Sequence, residues 1–143
     1  MKKYFSFLLL GFLLVSFSTK AQESENKTTT EEINSKVEVY YFHGDRRCKT
    51  CIAVGSVSKE YLEEKYSKEI EAGKLSFHDV NYDQAENKEL AEQMEVSGSS
   101  LLVKKTQGTV ISTEDITNLA FMYAIANPQK LKDALQKEID SIF

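Results

Sequence analysis

The sequence has no tryptophan, one proline, two cysteines and two histidines among its 143 residues. Two cysteines cannot build a disulfide-rich scaffold or a four-cysteine zinc ribbon. They suffice for one redox pair or for half of a metal site. Basic side chains are in the minority, with 18 Lys and Arg against 22 Asp and Glu and a net charge of −4. Nucleic-acid binding through general basicity is therefore not expected. No glycine-rich phosphate loop is present, so no organic cofactor is expected. Apolar residues at 41% and charged residues at 28% form an ordinary globular balance, which excludes a disordered or collagen-like chain.

Long apolar runs are also scarce. The one such run is Tyr4 to Phe17, after Met1-Lys2-Lys3 and before Ser18-Thr19-Lys20-Ala21-Gln22. Basic, apolar and small-residue segments in that order read as a secretory signal peptide cleaved after Ala21. A membrane-spanning helix needs roughly 20 apolar residues, more than this run supplies. No cysteine follows the run to carry a lipid anchor. Export to the periplasm is expected, where a cysteine pair can rest as a disulfide. Removal of residues 1–21 takes Lys2, Lys3 and Lys20 and no acid, which moves the net charge from −4 to −7. Anionic membranes and nucleic acids repel such a domain. Residues 22–35 are rich in Glu, Thr, Asn and Lys, with Ile33 as the only large apolar residue. They read as a flexible tether. Residues 36–143 remain as one domain.

Within that domain, Val37 to Phe42 is a Val- and Tyr-rich strand. Apolar residues then recur at Val54, Val57, Tyr61, Leu62, Tyr66 and Ile70, the spacing of one amphipathic helix closed by Gly73. Lys74 to Asn81 is a second strand. Asp83 and Glu86 form a capping-box pattern before a short helix with Leu90, Ala91 and Met94 on one face. Leu101 to Lys105 and Thr109 to Thr113 flank Gln107-Gly108 as a hairpin. Thr117 to Ala126 is a short helix or helical turn. Asn127 as N-cap and Pro128 at the first helical position open a last helix lined by Leu131, Leu135, Ile139 and Ile142. The order β-α-β-α-β-β-α makes the first two strands parallel and adds an antiparallel hairpin.

Cys48 and Cys51 stand between the first strand and the first helix. Two intervening residues on a first helical turn bring both sulfurs to one side. The helix N-terminal amides and macrodipole stabilise a thiolate, and Arg46, Arg47 and Lys49 add positive charge. Cys48 is the expected nucleophile on a partner disulfide, and Cys51, one turn further in, is expected to resolve the mixed disulfide. Two other uses of the pair stay open. One is metal binding or delivery, with His43 or a second chain completing the ligand set. The other is an inert disulfide in a non-catalytic accessory subunit.

Strand, Cys-Lys-Thr-Cys and helix in this order resemble the thioredoxin-like superfamily over roughly Lys36 to Phe143. The matching stretches include Val39–Phe42 before Cys48, Val80-Asn-Tyr-Asp83 before Glu89-Leu-Ala-Glu-Gln-Met, and Val96-Ser-Gly-Ser-Ser-Leu-Leu-Val103. Gln107-Gly-Thr-Val and Pro128-Gln-Lys-Leu-Lys-Asp-Ala-Leu135 complete the match. Tyr41-Phe-His-Gly-Asp-Arg-Arg-Cys-Lys-Thr-Cys51 is similar to the exported bacterial ArsF-type family (nitrophenyl compound nitroreductase subunit). The resemblance implies an α/β fold with a single mixed sheet and helices on both faces. It implies thiol–disulfide exchange with a periplasmic thiol or disulfide protein. Arg46 and Arg47 are the expected residues for tuning the thiolate or binding an acidic partner, and Ser99 and Ser100 are expected to line the substrate groove, so all four are candidate substrate-binding residues. Arg47 stands where thioredoxins carry tryptophan, and Lys49-Thr50 where they carry Gly-Pro. Ser100 stands in the place of their cis-proline. Tyr41 lies nearest the place of their buried acid, with Glu38 on the same strand.

Overall fold

The computed structural model describes residues 35–143. The expected signal peptide and most of the expected tether lie outside them. Four strands form one mixed sheet: β1 Ser35–His43, β2 Leu75–Asn81, β3 Ser100–Gln107 and β4 Val110–Asp115. Their order is β2-β1-β3-β4. β2 runs parallel to β1, whereas β3 is antiparallel to both β1 and β4. The helices are α1 Lys49–Lys65, α2 Ser67–Glu71, α3 Lys88–Gln93 after a 3-10 turn at Ala85–Asn87, α4 Thr117–Tyr123 and α5 Pro128–Asp140. This is the thioredoxin-like α/β fold.

β1 is central and covered on both faces, which explains its almost unbroken apolar run. Val37, Val39 and Tyr41 point to one face and meet Leu101 and Val103 of β3. Val54 and Leu62 of α1, Ala120 of α4, and Leu131, Leu135 and Ile139 of α5 close that core. Tyr40 and Phe42 point the other way and pack with Val80, Leu102 and Ala91, flanked by Leu90, Met94 and Val96. Side chains alternate along a strand, so β1 divides the molecule into two cores. Each fully buried Val or Leu contributes about 1.5–3 kcal/mol to folding.

Two local expectations need correction. The helix expected to continue from Val54 to Ile70 is two helices. Tyr66 leaves helical geometry at φ −117° and ψ 30°. Its ring meets Tyr61 edge-on at 6.2 Å, and its hydroxyl donates to Asp140 Oδ1 of α5 at 2.6 Å. That tertiary contact wins over helix continuity. The capping box does not form: the 3-10 turn follows Gln84 with no side-chain cap. Asp83 instead accepts a hydrogen bond from the Asp45 amide at 2.8 Å. Asn127 holds the N-cap position of α5 without a side-chain cap, and Pro128 stands at its start as expected.

α2 and α3 end in the same way. Gly73 (φ 69°) and Glu95 (φ 56°) both adopt the left-handed conformation. In each case two amides turn back, Gly73 to Ile70 and Lys74 to Glu69, and Glu95 to Glu92 and Val96 to Ala91. This is the Schellman pattern, which favours glycine at the left-handed position. α3 uses glutamate there.

Candidate functional site

The site is built where β1 ends and α1 begins. Cys48 is the N-cap of α1, with φ −74° and ψ 169°. Its sulfur accepts from the Cys51 amide at 3.2 Å, and its carbonyl accepts from the Ile52 amide at 3.0 Å. Cys51 sits one turn further in, buried at 9% exposure, whereas Cys48 is exposed. Both cysteines are free, with their sulfurs 2.6 Å apart. An S–S bond of about 2.0 Å needs a shift of roughly half an ångström.

The two thiols are electrostatically unequal. The Cys48 thiol is held below its ordinary range, first by the Cys51 thiol and next by the backbone amides at the start of the helix. Burial pushes the Cys51 thiol up, and the hydrogen bond to Cys48 adds to that. An exposed sulfur with a lowered pKa beside a covered one with a raised pKa is an arrangement that suits a nucleophile paired with a resolving thiol.

The loop leading to Cys48 is tied to the end of β2. The Tyr82 amide donates to the His43 carbonyl at 2.9 Å, and Asn81 Nδ2 donates to Asp45 Oδ1 at 2.7 Å. His43 Nε2 lies 2.9 Å from Asp79 Oδ1, while its Nδ1 lies 2.9 Å from the Gly44 carbonyl. Both ring nitrogens are thus engaged away from the sulfurs. Among the described residues no group of three or more His, Cys, Asp or Glu is arranged to hold a metal ion.

The two arginines separate. Arg46 is exposed on the loop. Arg47 turns inward: its guanidinium lies 5.3 Å from the centre of the Tyr41 ring and 3.9 Å from Asp79 Oδ2. The nearest causes of the Cys48 shift are therefore thiol and amide groups, with Arg47 occupied on Tyr41. Ser99 and Ser100 are half-buried at the start of β3. The Ser100 hydroxyl donates to the Gly98 carbonyl at 3.0 Å, and Ser100 faces Phe42 in the antiparallel register. It lines a groove of about 470 Å3 with Leu90, Met94, Val96, Leu102 and Lys104, on the α3 side of the sheet.

Glu38 is no substitute for an acid behind the cysteines. Glu38 and Tyr41 are three apart on β1 and so face opposite sides. Glu38 instead gathers Lys36 at 2.9 Å, His78 at 3.8 Å and Lys104 at 3.7 Å. Burial acts to raise its carboxyl, but the hydrogen bond and charge of Lys36 lead the opposing effects that hold it below its ordinary value. His78 stacks on Tyr40 at 4.5 Å, and burial lowers its ring below its ordinary value.

One contact and two residues of the site escaped sequence reasoning. The Tyr41 hydroxyl donates to the Cys51 carbonyl at 2.6 Å. Gly55 gives Tyr41 and Arg47 room, since a Cβ there would lie 2.8 Å from Tyr41 Cε1 and 2.8 Å from Arg47 Nη2. Asp79 pairs in register with Tyr41. A signal for Asp79 exists in retrospect: on β2 the face that carries Leu75 and Phe77 continues with an acid.

No family model matches the chain, and no curated protein matches it. A solved structure described as that of a malarial protein superposes with a TM-score of 0.45 and 17% identity, over 72% of this chain and 97% of that chain. A likeness at that level says nothing about the chemistry of the site. The fold and the Cys48–Cys51 pair define a thioredoxin-like domain with paired thiols.

Proposed function

We propose that this protein carries out thiol–disulfide exchange through Cys48 and Cys51, in the periplasm, with a protein thiol or disulfide as partner. The observation that carries this reading is the asymmetry of the pair: an exposed sulfur with a depressed pKa at a helix N-cap, 2.6 Å from a buried sulfur with a raised one. In the oxidising direction for this chain, the Cys48 thiolate attacks a partner disulfide. One partner sulfur leaves as a thiolate, and Cys48 becomes joined to the other. Cys51 loses its proton to solvent and attacks the Cys48 sulfur. The Cys48–Cys51 bond forms, the bond to the partner breaks, and the electron pair leaves on the partner sulfur, which is protonated. The partner is reduced by two electrons and this chain is oxidised by two; the reverse reaction oxidises the partner. Residues 1–21 support export, and none of the described helices is long and apolar enough to cross a membrane.

The test is reduction of a model protein disulfide combined with a glutathione redox titration. Cys48→Ala is expected to abolish exchange. Cys51→Ala is expected to accumulate a mixed disulfide on Cys48. Full activity in Cys48→Ala overturns the proposal. A pair that stays oxidised across the whole titration and turns over nothing overturns it in favour of the inert-disulfide reading.

A further inference from the structure

Behind the cysteines lies a chain of contacts that exchange chemistry alone does not require. Tyr41 is fully buried on β1, and its hydroxyl reaches across to the Cys51 carbonyl. That carbonyl sits in the first turn of α1, so the bond ties the resolving cysteine to the sheet. Arg47 packs on the Tyr41 ring and points at Asp79, which in turn holds His43. Arg47 is the residue immediately before Cys48. Its Nε is buried with no hydrogen-bond partner among the described residues. A buried and unpaired guanidinium nitrogen carries a desolvation cost, tolerated here although the rest of the guanidinium could reach solvent. Gly55, in the middle of α1, leaves the gap that this arrangement fills.

We propose that Tyr41, Arg47 and Asp79 are positioning residues for Cys51: they lock the first turn of α1 onto the sheet and bring a positive and a negative charge up behind the turn that carries the buried thiol. This rests on the exchange reading above for its role in turnover, but its physical content is testable without it. The charged and titratable groups on the segments around the Cys51 turn are Tyr41 and His43 of β1, Arg46 and Arg47 of the loop, Cys48 at the N-cap, Lys49 of α1 and Asp79 of β2. α4, which packs against α1, carries no charged residue, and its Tyr123 faces Lys130 of α5. The α5 groups nearest α1, Lys132, Gln136 and Asp140, meet Tyr61 and Tyr66, at least two turns beyond Cys51. Asp79 is about half exposed at 47%, so its effect is partly screened and grows at low salt.

The experiment measures the pH dependence of Cys51 alkylation by iodoacetamide in a Cys48→Ser background, at low ionic strength. Asp79→Asn removes a negative charge and is expected to speed alkylation at pH 7 by about threefold. Arg47→Met removes the positive charge and is expected to slow it by a similar factor, with Arg47→Lys restoring part of the rate. In the chain with both cysteines, Tyr41→Phe is expected to lengthen the life of the mixed disulfide and leave the first attack by Cys48 unchanged. Urea unfolding of each variant identifies those that lose the fold. Unchanged alkylation profiles in folded Asp79→Asn and Arg47→Met variants overturn the proposal. That outcome is independent of whether the chain with both cysteines turns over a disulfide.

Discussion

Replacing Gly55 by alanine separates two opposed effects at one position. In an ordinary helix interior, Gly→Ala stabilises by about 0.5–1 kcal/mol, because glycine loses more backbone freedom on folding. At Gly55 the added methyl would stand 2.8 Å from both Tyr41 Cε1 and Arg47 Nη2, closer than carbon atoms pack. The Arg47 tip can swing away. The Tyr41 ring cannot, since it is fully buried between α1 and the sheet. Overpacking of this kind costs about 1–3 kcal/mol. Moving Tyr41 also weakens its bond to the Cys51 carbonyl, worth about 1 kcal/mol net. The expected result is a net loss of about 1–3 kcal/mol in place of the usual gain. For a domain of this size that is a fall in Tm of roughly 5–15 °C. The assay is urea and thermal unfolding followed by circular dichroism, with Ser56→Ala on the exposed face of the same helix as the control for propensity. If Gly55→Ala raises stability as much as a free helical position does, Tyr41 is not wedged against α1. The account of how Cys51 is positioned then fails with it.

Two more outcomes are expected. Glu95→Gly relieves a left-handed glutamate at the end of α3 and is expected to stabilise by about 0.5–1 kcal/mol; a lower melting temperature refutes the Schellman reading of that helix end. Stability is also expected to fall in acid through Glu138, whose Oε2 lies 2.7 Å from Lys105 Nζ and whose carboxyl is held below its usual 4.5, mainly by the Lys105 hydrogen bond. The folded carboxyl is the stronger acid, so its contribution is present above about pH 4.5 and is lost as pH falls through the folded value. Glu138→Gln should flatten that part of the pH–stability curve, and an unaltered acid limb counts against the pair.

The chemistry-bearing pair and the order of elements were legible because both are local. A Cys-Lys-Thr-Cys segment after a Val- and Tyr-rich strand and before a 3.6-residue apolar period states its own place. That this strand lies inside the sheet was not legible in it, and follows from the pairing of β1 with both β2 and β3. The break at Tyr66 was not legible, because helix periodicity continues through it and only the Asp140 contact on α5 ends it. The Asp83 capping box failed for a similar reason: its carboxylate has a better partner in the Asp45 amide, 38 residues earlier in the chain.

The sequence alone determined that Cys48 and Cys51 stand between the first strand and the first helix and that Cys51 follows one turn after Cys48, since each depends on residues within a few positions. Only the tertiary structure decided what stands behind the pair. Arg47, read from its neighbours as one of two loop cations, folds inward onto Tyr41. Tyr41, read as the strand residue nearest the place of a buried acid, instead holds the carbonyl of Cys51. Asp79 enters the site because parallel pairing sets it beside Tyr41 from the neighbouring strand. Those relations depend on strand register and on the space left by Gly55, which no local pattern encodes.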